Sequence, residues 1–105
     1  MVQLPAEIKK TIDKYLQLLN RNNIPIKDAI LFGSYAKGNY QEWSDIDIAL
    51  VSDIFVGDRI DNKDKIRSIT LSVSSEIDVI PFSPHDFNLQ NPFAKEILKT
   101  GIRLI

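Results

Sequence analysis

The sequence predicts an α/β (α+β) fold in which helices flank a small mixed β-sheet. Helical and strand patterns alternate along the chain, and the strand-like segments are short and rich in β-branched residues. Such alternation is typical of helices packed on a small sheet. A chain of 105 residues with no linker-like segment is normally one domain, so we expect a single domain over residues 1–105.

Residues 5–22 are the first predicted helix. Pro5 suits a first helical position, and an Asn-rich segment ends the pattern. Five apolar residues recur at helical spacing and form one stripe, which we expect to face the core: Ile8, Ile12, Tyr15, Leu16 and Leu19. Residues 28–32 then form a predicted strand, and residues 34–37 a short helix that Gly38 closes.

The second half of the chain repeats the alternation. Residues 45–51 are a predicted strand, residues 61–74 a helix, and residues 76–82 a third strand that alternates apolar and polar side chains. A last helix is predicted for residues 92–100, since proline precedes it and glycine follows it. The tail 102–105 fits either an extra strand or a docking tail, and the sequence leaves both open.

Composition narrows the class of function. The apolar fraction of 44% is ordinary for a globular protein, and the sequence has no cysteine, which excludes disulfides and thiolate metal sites. The net charge of −1 lacks the basic excess of nucleic-acid-binding proteins, so nucleic acid is not expected as the primary partner. No signal-peptide pattern or membrane-length apolar run occurs, so we expect a cytoplasmic protein with no membrane partner.

Two carboxylates stand in an otherwise apolar strand. Side chains alternate between the faces of a strand, so Asp45 and Asp47 share one face, about 6.6 Å apart at the backbone. Carboxylates that close repel each other and raise at least one pKa. Divalent cations remove that cost, and carboxylate oxygens suit Mg²⁺. Two metals held together stabilise the attacking and leaving oxygens of phosphoryl transfer.

A third carboxylate, Asp78, lies in the predicted strand 76–82. If this strand pairs beside strand 45–51, Asp78 faces the same side as Asp45 and Asp47. It is then a candidate metal ligand, or the base that takes a proton from an attacking hydroxyl. The alternative is that all three acids are solvent-facing residues of a one-sided sheet.

Gly33 and Ser34 directly follow the first strand and open the short helix. A helix start presents unpaired N–H groups that bind phosphate, and a glycine lets the phosphate approach the backbone. Ser34 adds a hydroxyl, and Lys37 follows one turn later. The spacing is that of neither a Walker A loop nor a dinucleotide-binding fingerprint. A tight turn with an ordinary helix cap is the alternative explanation.

Four other conspicuous side chains have plainer explanations. His85, the only histidine, is expected in an exposed turn. Trp43 is expected to pack as a plug against the loop before the second strand. Tyr35 and Tyr40 are expected to be surface tyrosines.

The order of these motifs resembles the nucleotidyltransferase superfamily of the DNA polymerase β type. That pattern is an apolar residue, Gly, then Gly or Ser, about ten residues, and Asp-x-Asp/Glu between apolar residues. In this sequence the pattern is Phe32-Gly33-Ser34, then ten residues, then Asp45 and Asp47 beside isoleucines. The segments 33–38 and 44–48 also resemble the minimal nucleotidyltransferases, whose motif often runs Gly-Ser-x-Ala-Arg-Gly and then Ser-Asp-x-Asp-Leu. Lys37 replaces the usual Arg and loses its bidentate fork.

The resemblance implies roles for the matching residues. The implied catalytic residues and ligands of two Mg²⁺ ions are Asp45, Asp47 and Asp78. The implied nucleotide-binding residues are Gly33, Ser34, Lys37 and Ser44, with ATP as the substrate.

The resemblance also implies an activity and a partner. Minimal nucleotidyltransferases resemble antitoxins that transfer AMP to a tyrosine of a small helical toxin of the HEPN class, so we expect a type VII antitoxin. A HEPN toxin, or a second copy of this chain, would complete the site. Two alternatives stay open: nucleotide transfer to a small molecule, as in aminoglycoside-modifying members, and an inactive module that neutralises its partner by contact alone.

Overall fold

The computed structural model describes residues 4–57 and 59–105, without the side chain of Arg59. Four helices and four strands follow each other along the described chain: α1 (Ala6–Arg21), β1 (Asp28–Phe32), α2 (Ser34–Lys37), β2 (Ile46–Val51), α3 (Arg59–Val73), β3 (Ile77–Phe82), α4 (Pro92–Thr100) and β4 (Ile102–Arg103). The predicted elements are confirmed with small shifts at their ends, and the tail contributes a short strand. Within the described ranges, no helix is long and apolar enough to cross a membrane.

The strands form one mixed sheet in the order β3-β2-β1-β4. β1 pairs with β2 antiparallel, with Phe32 opposite Asp47. β2 pairs with β3 parallel, with Asp47 opposite Asp78. Parallel neighbours need a long crossover connection, and α3 supplies it. The fold class predicted from the sequence is therefore confirmed, and Asp47 lies on an inner strand between the end of β1 and Asp78.

One face of the sheet is apolar along its whole length. α1 and α3 cover this face, and the stripe predicted on α1 forms part of the core. Its fully buried members include Tyr15, Leu19, Leu31, Ile48, Leu50 and Ile66.

A buried hydrogen bond joins the two helices on this face. The hydroxyl of Tyr15 lies 2.7 Å from Oγ1 of Thr70, which in turn donates to the carbonyl of Ile66 at 3.0 Å. Burial raises the pKa of Tyr15 to about 12, so the phenol stays neutral at physiological pH. The bond satisfies a polar group that would be costly to bury alone, and it fixes α1 against α3.

The opposite face is apolar only in part, because α4 covers only part of it. Ala94 and Ile97 of α4 pack on Ala49 and Val51 of β2. The helix begins at Asn91, whose side chain accepts hydrogen bonds from the next backbone N–H groups, with Pro at the first helical position. The N-terminal end of β2 on this face is left to polar residues.

Candidate active site

A sharp turn joins β1 to α2 at Gly33. Its backbone has φ +75° and ψ −151°, a conformation that residues with a side chain rarely adopt. A Cβ atom placed there would lie 2.2 Å from Oδ2 of Asp47. The glycine is therefore required twice, for the turn and for the close approach of the Asp47 carboxylate to the backbone.

The short helix α2 follows this turn. As the sequence predicts, Ser34 is its first residue and Gly38 ends it, in the left-handed region with φ +82°. Ser34 is partly exposed. The backbone N–H of Gly38 donates to the Ser34 carbonyl at 3.0 Å. Lys37 is exposed in the last turn of the helix, and its contact with a phosphate stays a prediction.

The three predicted carboxylates come together at one end of the sheet. Asp47 and Asp78 are register partners on neighbouring parallel strands, which lie about 4.8 Å apart. β2 begins at Ile46, so Asp45 stands exposed just before the strand instead of within it. The prediction that Asp78 lies beside Asp47 is confirmed by the register.

This arrangement perturbs the central carboxyl. Burial and, to a smaller extent, the negative charges of Asp78 and Asp45 together raise the pKa of Asp47 to about 6. Both causes disfavour the ionised form. The cluster therefore has an electrostatic cost that a bound cation would relieve.

A lysine already neutralises one member of the cluster. Nζ of Lys63, on α3, lies 3.3 Å from Oδ1 of Asp78, and both side chains are about half exposed. The sequence reasoning missed Lys63, because it lies fifteen residues from Asp78 on a different element, and the periodicity of neither element marks the contact.

The donor set fits a hard divalent cation, although its side chains do not surround one. Asp45, Asp47 and Asp78 offer carboxylate oxygens, the ligands that Mg²⁺ prefers. Asp47 lies so close to Gly33 that position 33 has no room for a residue with a side chain. Across the described part of the chain, no three acidic, imidazole or thiol side chains converge on one metal position as they stand. Asp78 faces Lys63 instead.

The loop before β2 contains Ser44 and Trp43, and only the prediction for Trp43 is wrong. Oγ of Ser44 accepts a hydrogen bond from the backbone N–H of Gln41 at 2.7 Å and closes a turn. Ser44 thus shapes the loop that delivers Asp45, and its predicted contact with the nucleotide stays a prediction. The prediction that Trp43 packs as a plug is wrong: the turn projects the indole into solvent, and the residue is 76% exposed.

Of the two tyrosines beside the turn, Tyr35 differs from prediction and Tyr40 agrees with it. Tyr35 is only 4% exposed, so its assignment as a surface residue is wrong: α2 presents the ring to the core. Tyr40 is exposed, as predicted, and stacks on Tyr35, with ring centroids 4.7 Å apart. His85 lies exposed in a turn, as predicted.

The Gly-Ser turn and the acidic strand ends define a class of protein when they are compared with known families. Residues 10–104 match the family described as "Nucleotidyltransferase domain", and the chain belongs to this family.

Particular relatives sharpen the comparison. The chain is 31% identical to the "Putative protein adenylyltransferase MJ1305" of Methanocaldococcus jannaschii, over 93% of this chain and 71% of the relative. Its fold is similar to that of a "putative nucleotidyltransferase" from Sulfolobus solfataricus, with a TM-score of 0.70, 19% identity, and coverage of 92% of this chain and 78% of that one. It is also similar to a chain of a "toxin-antitoxin with AMP-PNP", with a TM-score of 0.62, 27% identity, and coverage of 89% and 71%.

Proposed function

We propose that this chain transfers AMP from ATP to a tyrosine of a cognate HEPN-class toxin, and thereby acts as a type VII antitoxin. The observation that carries the proposal is the seat of Asp47 between Gly33 and Asp78. Family membership supports nucleotidyl transfer. The name of the archaeal relative supports a protein acceptor, and the toxin–antitoxin structure supports a toxin partner.

The turn after β1 holds the triphosphate in this proposal. Gly33 and Ser34 offer backbone N–H groups and a hydroxyl to the β- and γ-phosphates, because they stand at the start of α2. Lys37 and Ser44 add a cation and a hydroxyl nearby. Asp45, Asp47 and Asp78 would hold two Mg²⁺ ions, which supply positive charge to the reacting phosphate oxygens.

Asp78 acts on the acceptor. Its carboxylate accepts the phenolic proton of the tyrosine, and the oxygen attacks the α-phosphorus of ATP. A new P–O bond forms to the tyrosine, the bond from the α-phosphorus to the bridging oxygen breaks, and pyrophosphate leaves with the electron pair. Positioning and electrostatic stabilisation provide most of the rate enhancement.

The cavity beside Asp78 is smaller than the usual site for a small-molecule acceptor. Asp78 lines a cavity of about 190 Å³ between α3 and β3, which Asp45 and Asp47 do not line. Sites for drug-sized small molecules usually span roughly 300–1,000 Å³, so transfer to an aminoglycoside-like molecule is disfavoured. A larger groove of about 590 Å³ lies between the start of α1 and Tyr40, and Asp45, Asp47 and Asp78 do not line it.

Label transfer tests the proposal. The full chain is incubated with α-³²P-ATP and Mg²⁺, with and without a HEPN-domain protein encoded by the adjacent reading frame. We expect label on that protein. We expect Asp47→Asn to lose it by roughly 100-fold or more, as when a group that stabilises the transition state is removed. Asp53→Asn is the matched control, because Asp53 is an exposed acid paired with Lys27.

Each other outcome points elsewhere. Absence of label with intact Mg²⁺–ATP binding would contradict the toxin as acceptor and direct the search to other acceptors. Absence of both label and ATP binding would favour the module that neutralises by contact alone. We propose that residues 1–105 work as one domain in the cytoplasm, with the toxin or a second copy completing the site.

A further inference from the structure

Lys63 reaches the carboxylate cluster from the other side of the sheet. α3 packs on the face that carries Ile77 and Val79, whereas Asp78, between them in β3, points to the opposite face. β3 is an edge strand of the described sheet, so Nζ of Lys63 can reach Asp78 around its outer edge, at 3.3 Å. The contact therefore joins α3 to a carboxylate that the sheet would otherwise separate from it.

A second ion pair of the molecule shows what is special about this one. Lys27 and Asp53 lie 3.6 Å apart, and both are more than half exposed. The Lys63–Asp78 pair is similarly exposed, but its carboxylate also stands opposite Asp47 across the strand pair. Removing Lys63 would take away the cation paired with Asp78, next to Asp47, whereas removing Lys27 would affect only one surface acid.

We propose that Lys63 is a resident counter-ion of Asp78, which a divalent cation must displace before Asp78 becomes a ligand. Lys63 is then a positioning residue that sets the affinity of the cluster for its metal. The inference rests on the proposed function only in taking Asp78 as a metal ligand. A divalent cation and the Lys63 ammonium group would compete for the carboxylate of Asp78, because two positive charges placed so close together repel each other.

The displaced ammonium group stays close to the site. Lys63, Arg67 and Leu71 of α3 line the 190 Å³ cavity together with Asp78. When Nζ leaves Asp78, it remains tethered at this cavity next to Arg67. Metal loading thus moves a positive charge from the carboxylate cluster toward the cavity, where it would stabilise an acceptor oxygen that is losing its proton.

Mn²⁺ binding tests the inference without any nucleotide or partner. The affinity of the full chain for Mn²⁺ is measured by electron paramagnetic resonance for wild type, Lys63→Met, Lys63→Arg and Lys27→Met. We expect Lys63→Met to bind Mn²⁺ roughly two- to fivefold more tightly, the size expected for losing an exposed ion pair. Lys63→Arg keeps the competing charge and retains wild-type affinity. Lys27→Met removes the same charge from the Lys27–Asp53 pair and should also retain wild-type affinity for Mn²⁺.

The control variants distinguish a failure of the role proposed for Lys63 from a failure of the proposed metal ligands. Asp47→Asn must weaken Mn²⁺ binding, which shows that the measured ion occupies the cluster. With that established, an unchanged or weaker affinity in Lys63→Met overturns the role of Lys63 and leaves the proposed function intact. An equal gain in Lys27→Met overturns it as well, because net charge alone would then explain the effect. Wild-type protein that binds no Mn²⁺ contradicts both the inference and the proposed metal ligands.

Discussion

Neighbouring residues of β2 show two uses of the same strand. Ile48 is fully buried on the face that α1 and α3 cover, where it belongs to the hydrophobic core. Asp47 points to the opposite face, against Gly33 and opposite Asp78, with a raised pKa. One side chain adds to stability and the next one reduces it. A rigid strand can thus hold charged groups accurately if its covering helix leaves them exposed and its other face supplies the stability.

The largest effect on stability is expected on the apolar face. Ile48→Ala removes buried methyl groups and leaves a cavity, so the free energy of unfolding should fall by about 2–5 kcal/mol. Ile48→Val should cost only about 0.5–1.5 kcal/mol. Urea unfolding followed by circular dichroism measures both. If Ile48→Ala loses less free energy of unfolding than Ile48→Val, this face is loosely packed. The contrast between the two faces of β2 would then disappear.

Gly33 connects β1 to α2 and lies against Asp47, and its substitution should have an intermediate effect. Gly33→Ala adds a Cβ that strikes Oδ2 of Asp47 and strains a backbone with φ +75°, so we expect a loss of about 1–3 kcal/mol together with loss of Mn²⁺ binding. Gly57→Ala is the matched control, since Gly57 has φ +81° and no neighbouring atom within 4 Å of the added Cβ. It should be destabilised by strain alone and keep its metal affinity. Normal Mn²⁺ binding by Gly33→Ala would contradict the close seat of Asp47.

The smallest effect is expected at Asp47 and has the opposite sign. Its pKa lies near 6 in the folded chain, against an ordinary value of 3.8, so the native state binds more protons than the unfolded state between about pH 4 and pH 6. The stability of the wild type therefore falls as pH rises through this window. Asp47→Asn lacks the charge and should escape the fall.

Thermal unfolding in EDTA measures this difference. Asp47 is only partly buried and solvent screens its charge, so we expect Asp47→Asn to be more stable by about 1 kcal/mol at pH 8 and equal to wild type near pH 4. Equal stability at both values would show that the cluster has no electrostatic cost. A variant less stable at pH 8 would show that Asp47 makes a favourable contact in the folded chain.

Most of the fold could be predicted because its signals are local. The helical spacing of Ile12, Tyr15 and Leu19 marked α1, and the two-residue period of β2 and β3 placed their carboxylates on one face. The proximity of Asp47 and Asp78 followed once those strands were neighbours. Local patterns were enough wherever one element determined which way a side chain points.

The rest depends on how elements meet. Lys63 reaches Asp78 only because α3 lies beside an edge strand, and no pattern within α3 records that. Tyr35 is buried because a four-residue helix faces the core, although the loop around it is polar. Trp43 is exposed because a hydrogen-bonded turn directs it outward, against the usual tendency of a large apolar side chain.

The outer edge of β3 affects whether the sheets of different molecules can associate edge to edge. The carbonyl groups of Glu76 and Phe82 accept hydrogen bonds from the residues around β2, so the backbone groups of Ile77, Val79 and Pro81 point the other way. Pro81 has no N–H, which shortens the row of donors that a foreign strand could use. At the opposite edge, β4 is only two residues long. Short and interrupted edges of this kind protect a sheet against edge-to-edge aggregation, so this small chain should stay dispersed at high concentration.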